Sequence, residues 1–152
     1  MKKLLFILLP GILILTLAAC GEKAPTAFDP ANHTQALLDA DRVFGEALEP
    51  IDQTTACALY GIDEATVTAS AVYMANATSA EEVAIFTLAD EEAAQAAAKQ
   101  LGYRIDDRIE ELTDYLPGEV PKLEKAVVET RGNSVLLLVC SDYDGAKKVL
   151  EK

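Results

Sequence analysis

The sequence has no tryptophan, one histidine and three cysteines in 152 residues, and its 13 Lys+Arg are outnumbered by 25 Asp+Glu, a formal charge of -12. Too little base is present for the Lys/Arg-rich face that phosphate neutralisation needs, so no nucleic-acid partner is expected. The lone histidine, His33, offers no second imidazole for a histidine-based metalloprotease. No CxxC pair or Cys/His ligand cluster exists, which removes thioredoxin-type chemistry and structural zinc. P-loop, GxGxxG, SxxK and HExxH are missing, and Gly132-Asn133-Ser134 departs from a nucleophile elbow because Leu136 stands where its second glycine belongs. The expectation is a protein without a catalytic constellation, cofactor or metal. Apolar residues nevertheless make up 51% of the chain, too many for wholesale disorder.

What is present begins at the first residues. Lys2 and Lys3 precede an apolar run from Leu4 to Leu17, and small Ala18 and Ala19 lead to Cys20, the pattern of a secretory signal peptide. The run is broken by Pro10-Gly11 and is shorter than the roughly 20 residues that span a bilayer. Leu17-Ala18-Ala19-Cys20 has the form of a bacterial lipobox, so residues 1–19 are expected to be removed and Cys20 to carry the lipid, with acyl chains of the palmitate kind. Two chains hold a protein stably, at about 0.8 kcal/mol per buried methylene. An exported protein on the outer face of the cytoplasmic membrane follows. Loss of Lys2 and Lys3 leaves 11 basic against 25 acidic residues, or -14. Cys57 and Cys140 then remain in an oxidising compartment, where they could form a disulfide; both also lie in apolar stretches that suit a free core thiol.

Residues 20–34 contain Pro25 and Pro30 without apolar periodicity and are read as the lipidated cysteine and a flexible tether. Residues 35–152 read as one domain. Leu37, Asp41, Phe44 and Leu48 step at helical spacing and predict a helix over 35–49 ended by Pro50, followed by a short one over 53–60 ended by Gly61. Strands are expected at 66–73 and 82–89, joined as a hairpin, and at 126–130 and 135–140, joined through Gly132-Asn133. Between them, Asp90 caps a long helix to Leu116, on which Leu101, Ile105, Ile109 and Leu112 form one stripe. A last helix covers 142–151. The order ααββαββα predicts an α+β fold: a four-stranded antiparallel sheet of two hairpins with helices on one face, packed by the long helix.

Few residues suggest binding chemistry. Arg104, Arg108 and Arg131 could clamp a carboxylate, and Tyr73, Tyr103 and Tyr115 could stack on a planar group, although nothing in the spacing brings them together. Cys140 to Glu151 places acids near calcium-loop positions, against which Ser141 or Asp142 reads more simply as the cap of the last helix. Like-charged pairs such as Asp106 and Glu110 on the long helix read as a solvated face.

Several segments together resemble a known family: Leu59-Tyr60-Gly61-Ile62-Asp63, Glu82-Val83-Ala84-Ile85-Phe86, the helix carrying Arg104 and Arg108 into Tyr115-Leu116-Pro117, and Gly132-Asn133 before an apolar strand. The chain is similar over about residues 35–150 to bacterial lipoproteins, mostly of Gram-positive anaerobes, that carry domain of unknown function 4358. Ser134 departs from the aromatic expected there. The resemblance implies a lipid-anchored extracytoplasmic domain and brings no catalytic residue. The function expected is an interaction or ligand-binding domain of the cell envelope, its partners being the membrane through Cys20 and an envelope protein or small ligand. A carboxylate-based enzyme and a calcium-stabilised module are the alternatives.

Overall fold

A computed structural model describes residues 25–151. The expected signal peptide, the expected lipobox and Cys20 lie outside the described residues. Within them five strands form one antiparallel sheet, ordered β1-β2-β3-β5-β4: β1 (Glu49–Ile51), β2 (Val67–Met74), β3 (Glu82–Leu88), β4 (Val127–Arg131) and β5 (Ser134–Val139). The helices are α1 (Pro30–Leu38), α2 (Gln53–Tyr60), α3 (Glu91–Tyr115), the short α4 (Val120–Leu123) and α5 (Tyr143–Leu150). The α+β class holds, with five strands rather than four.

Local chemistry explains most of the boundaries. Asp52 and Asp90 accept N–H bonds from Thr55 and Ala93 at the starts of α2 and α3, and Gly61 ends α2 in the left-handed region at φ 67°. The β4–β5 turn has a positive φ at Gly132 alone, 55°, as a type II′ turn requires. Asp142 caps α5 by accepting the Gly145 N–H at 2.9 Å, so its carboxylate is engaged by the helix start.

The first helix is displaced from its expected place. It runs over 30–38 and not 35–49, because Asp29 caps it through the Asn32 N–H and Pro30 fills the first helical position, where no amide proton is needed. The tether expected over 20–34 is therefore corrected over 28–34. Phe28 is buried, and its N–H donates to Ser134 Oγ at 2.7 Å. His33 sits edge-on to its ring at 5.6 Å, so it is part of the fold. Pro50 does not stop a helix; it lies inside β1 at the sheet edge, where a missing donor costs nothing.

Helices cover both faces, which corrects the expected single layer. Ala84, Phe86, Leu88, Val135, Leu137 and Val139 point toward α2, α3 and α4, whereas Val83, Ile85, Leu136 and Leu138 point toward α1 and α5. This is why β5 is buried along its whole length. At about 25 cal/mol per Å² of apolar surface, two cores on one sheet are the main stabilising term.

Candidate functional site

The sequence-predicted residues separate in the fold. Arg104 and Arg108 lie together on α3 over the first core. Arg131 lies on β4 against the opposite core; Tyr115, 73% exposed, ends α3 in solvent, and Tyr103, 62% exposed, lies at the middle of the same helix. Cys57 and Cys140 belong to different cores on opposite sheet faces, and both are free thiols. Burial, helped by the Glu81 charge, pushes the Cys140 thiol up to about 12, so it packs as a hydrophobe.

Three sites stand out among the described residues, and the first two are built on acids that sequence reasoning missed. Glu82 begins β3 with 1% exposure, facing α2 and α3. One oxygen accepts the Tyr60 hydroxyl at 2.7 Å; the other, buried, has no partner among the described residues, and neither does Arg104 Nε. The Arg104 guanidinium lies 5.7 Å from the centre of the Tyr60 ring. Burial raises the Glu82 carboxyl above its usual range despite the Tyr60 hydrogen bond and the nearby charges of Arg104 and Arg108, and burial likewise lifts Tyr60. Arg108 instead meets Glu111 at 2.9 Å on the helix surface.

The second assembly closes one end of the sheet. Glu81, also 1% exposed, accepts both oxygens' worth of bonds: the Gly45 N–H at 3.0 and 2.9 Å, the Glu46 N–H at 3.0 Å and Ser141 Oγ at 2.5 Å, with Lys122 Nζ at 3.4 Å. Lys122 also reaches Glu119 at 3.0 Å, and Glu119 accepts the Ala80 N–H at 2.8 Å. Partial burial opposes ionisation of Glu119, but the Ala80, Lys122 and Ser79 hydrogen bonds hold it below the ordinary carboxylate value. Every charge here is engaged internally. This is a clamp on the 39–48 connection.

The third is a cleft of about 410 Å³ between β4 and α5. Its strand wall is Val127, Glu129 and Arg131, three alternate residues that point to one sheet face; its helix wall is Tyr143, Ala146, Lys147 and Leu150, at the i, i+3, i+4 and i+7 spacing of one helical stripe. Arg131 anchors the wall. Its Nε donates to Glu129 at 2.7 Å, one terminal nitrogen donates to the Leu150 carbonyl at 3.2 Å, and the guanidinium stacks 4.2 Å from the Phe28 ring centre. Burial holds the Tyr143 hydroxyl up at about 12; it donates to the Lys122 carbonyl at 2.8 Å, linking the cleft to the clamp. A volume in the usual ligand range, apolar walls and a few fixed polar groups make this a place where a molecule could be held. Of the candidate ligand contacts singled out in the sequence, Arg131 lines it, as do Asp144 and Glu151 of the calcium-loop candidate; the α5 stripe was the remaining signal.

No curated protein and no solved structure matches the chain. A family model described as Domain of unknown function (DUF4358) matches residues 44–140, from the loop after α1 through β5, including both buried acids and Arg131. The match spans more than half of the sequence, and the chain belongs to that family.

Proposed function

We propose that this protein is a lipid-anchored binding domain of the bacterial cell envelope, exported by the segment before Cys20 and held by that residue's lipid at the outer face of the cytoplasmic membrane. It takes up a small ligand or a segment of an envelope protein in the β4–α5 cleft. The observation that carries the reading is the cleft itself, an open, largely apolar recess with Arg131 fixed in its wall by Glu129, Leu150 and Phe28. The lipobox Leu17-Ala18-Ala19-Cys20 supports the address. Binding is favoured over carboxylate catalysis because the two most buried acids, Glu81 and Glu82, face opposite sides of the sheet and are taken up inside the fold.

Metabolic labelling with an alkyne fatty acid tests the address: wild type is marked and Cys20→Ala is not, and equal labelling overturns it. A photo-crosslinking residue at position 147 tests the cleft in cells. A discrete adduct that disappears when Val127→Trp fills the recess supports the reading; an adduct unaffected by Val127→Trp overturns it.

A further inference from the structure

The two edges of the sheet differ. β1 is three residues long with Pro50 in the middle, a blunted edge. β4 is five residues without proline. The two-residue turn makes Arg131 and Ser134 a hydrogen-bonded pair, so by alternation Val127 and Glu129 also turn their main-chain groups toward β5, and Val128 and Thr130 turn theirs outward. The Leu88 N–H bond to the Asn133 carbonyl, 2.8 Å, fixes the same parity independently: Asn133 faces β3, so Ser134 faces β4. No hydrogen bond among the described residues engages the outward main chain of Val128 or Thr130. Two donors and two acceptors, with a repeat of about 6.8 Å, therefore stand open along this edge. Beside them lies the cleft, lined by the intervening side chains of the same strand.

We propose that β4 accepts an extended segment of a partner protein as a sixth strand, its main chain paired with Val128 and Thr130 and every second side chain seated in the β4–α5 cleft. The proposal rests on the reading of that cleft as the binding site and names the class of occupant. Charge selects its chemistry. The cleft holds Glu129, Asp144 and Glu151 against Arg131 and Lys147. Arg131 is engaged with Glu129, Lys147 lies 3.8 Å from Glu151, and Asp144 has no basic partner among the described residues. The surrounding chain is strongly acidic. A second copy would bring the same sign, and a two-fold pairing of β4 with itself through Val128 and Thr130 would set Glu129 opposite its own copy, a destabilising cross-strand pair. The fitting occupant is a segment that alternates basic and apolar residues.

The test uses the detergent-solubilised full-length protein and a fluorescent heptapeptide of alternating Lys and Val. Saturable binding is expected, at least tenfold tighter than to a Glu/Val heptapeptide. It is lost when every second peptide amide is N-methylated in one of the two possible phases, and Thr130→Pro, which removes an outward N–H, weakens it at least tenfold. Should Thr130→Pro melt early, the N-methylated peptides make the same measurement on unaltered protein. Equal binding of both N-methylated phases overturns strand addition; if Val127→Trp still abolishes that binding, the cleft reading survives without it. Equal affinity for the Lys/Val and Glu/Val peptides overturns the charge assignment. No saturable binding of any heptapeptide up to millimolar concentration overturns strand addition, and the cross-link at position 147 then decides separately whether the cleft binds anything else.

Discussion

Glu81 and Glu82 are neighbours in the chain, equally buried, and opposite in circumstance. Glu81 receives two backbone amides, a hydroxyl and an ammonium group on the α1/α5 side of the sheet, whereas Glu82 receives one phenol on the α3 side and leaves an oxygen unpartnered. The two-residue period of a strand separates them; what packs on each face decides their chemistry.

For Glu82, burial raises the carboxyl pKa above the usual 4.5, so the folded state holds a proton that the unfolded chain releases. Stability attributable to this residue is present below that value and is lost as pH rises from about 4.5 through the raised folded value. Glu82→Gln removes this dependence. Its melting temperature minus that of wild type should increase between pH 4 and pH 7, by about 4 °C for each kcal/mol of difference. Tyr60→Phe, which deprives the carboxylate of its hydroxyl, should cost about 1–3 kcal/mol at pH 7 and less at pH 4. Thermal melts at both pH values read all three proteins.

Glu81→Ala should destabilise the domain by about 2–4 kcal/mol, since charge-assisted bonds contribute about 1.5–3 kcal/mol each and are not additive. The local signature is more telling than the total. Amide exchange at Gly45 and Glu46 should accelerate well beyond that in β3, while Gly102 and its helix neighbours change only with global stability.

Two glycine-to-alanine changes should act in opposite directions. At Gly102, inside α3, an added Cβ meets nothing within 4 Å, so Gly102→Ala should stabilise by about 0.5–1 kcal/mol through helix propensity. At Gly145 the Cβ would fall 2.5 Å from Asp142 Oδ2, the carboxylate that caps α5. Gly145→Ala should therefore destabilise by about 1 kcal/mol or more despite the better propensity. Urea titrations of the pair measure the reversal.

The thiols give a chemical check on the two-core arrangement. Burial raises both Cys57 and Cys140, the latter to about 12, so neither should react rapidly with an aromatic disulfide reagent at pH 8 in the folded Cys20→Ala protein. Two thiols per chain should titrate after denaturation without reductant. Fewer than two would mean that the cysteines pair, which opposite sheet faces do not allow.

The legible parts of the fold were those written in adjacent residues. Asp52 and Gly61 bracket α2, Asp90 opens α3, and Gly132-Asn133 turns β4 into β5; each works through its own backbone and needs no distant partner. Asp29-Pro30 was an equally local helix start, obscured by the prolines and small residues around it. Pro50 shows the ambiguity of a breaker, which suits the end of a helix and the edge of a sheet equally. The apolar run Val135–Val139 carried a signal for helices on both faces, since a strand buried on both sides needs two covering layers. The buried acids were not legible: Glu81-Glu82 before an apolar strand looks like a solvated strand entry, and Tyr60, Lys122 and Ser141, which give the two acids their places, lie 22 to 60 residues away from them in the chain. The cleft was hidden for the same reason, because Arg131 and Lys147 face it only after α5 folds back over β4.

The docking of Phe28 onto Ser134 and Arg131 shortens the segment left to act as the proposed tether. Seven residues, 21–27, separate Cys20 from Phe28, the first buried side chain among the described residues, and at no more than about 3.5 Å per step Phe28 can stand at most about 28 Å from Cys20. If Cys20 carries the proposed lipid, a pull from the membrane is delivered through Phe28 to the tip of the β4–β5 hairpin, beside the cleft and the open edge of β4. On the proposed reading, tension on the anchor and occupancy of that edge would therefore act on the same few residues.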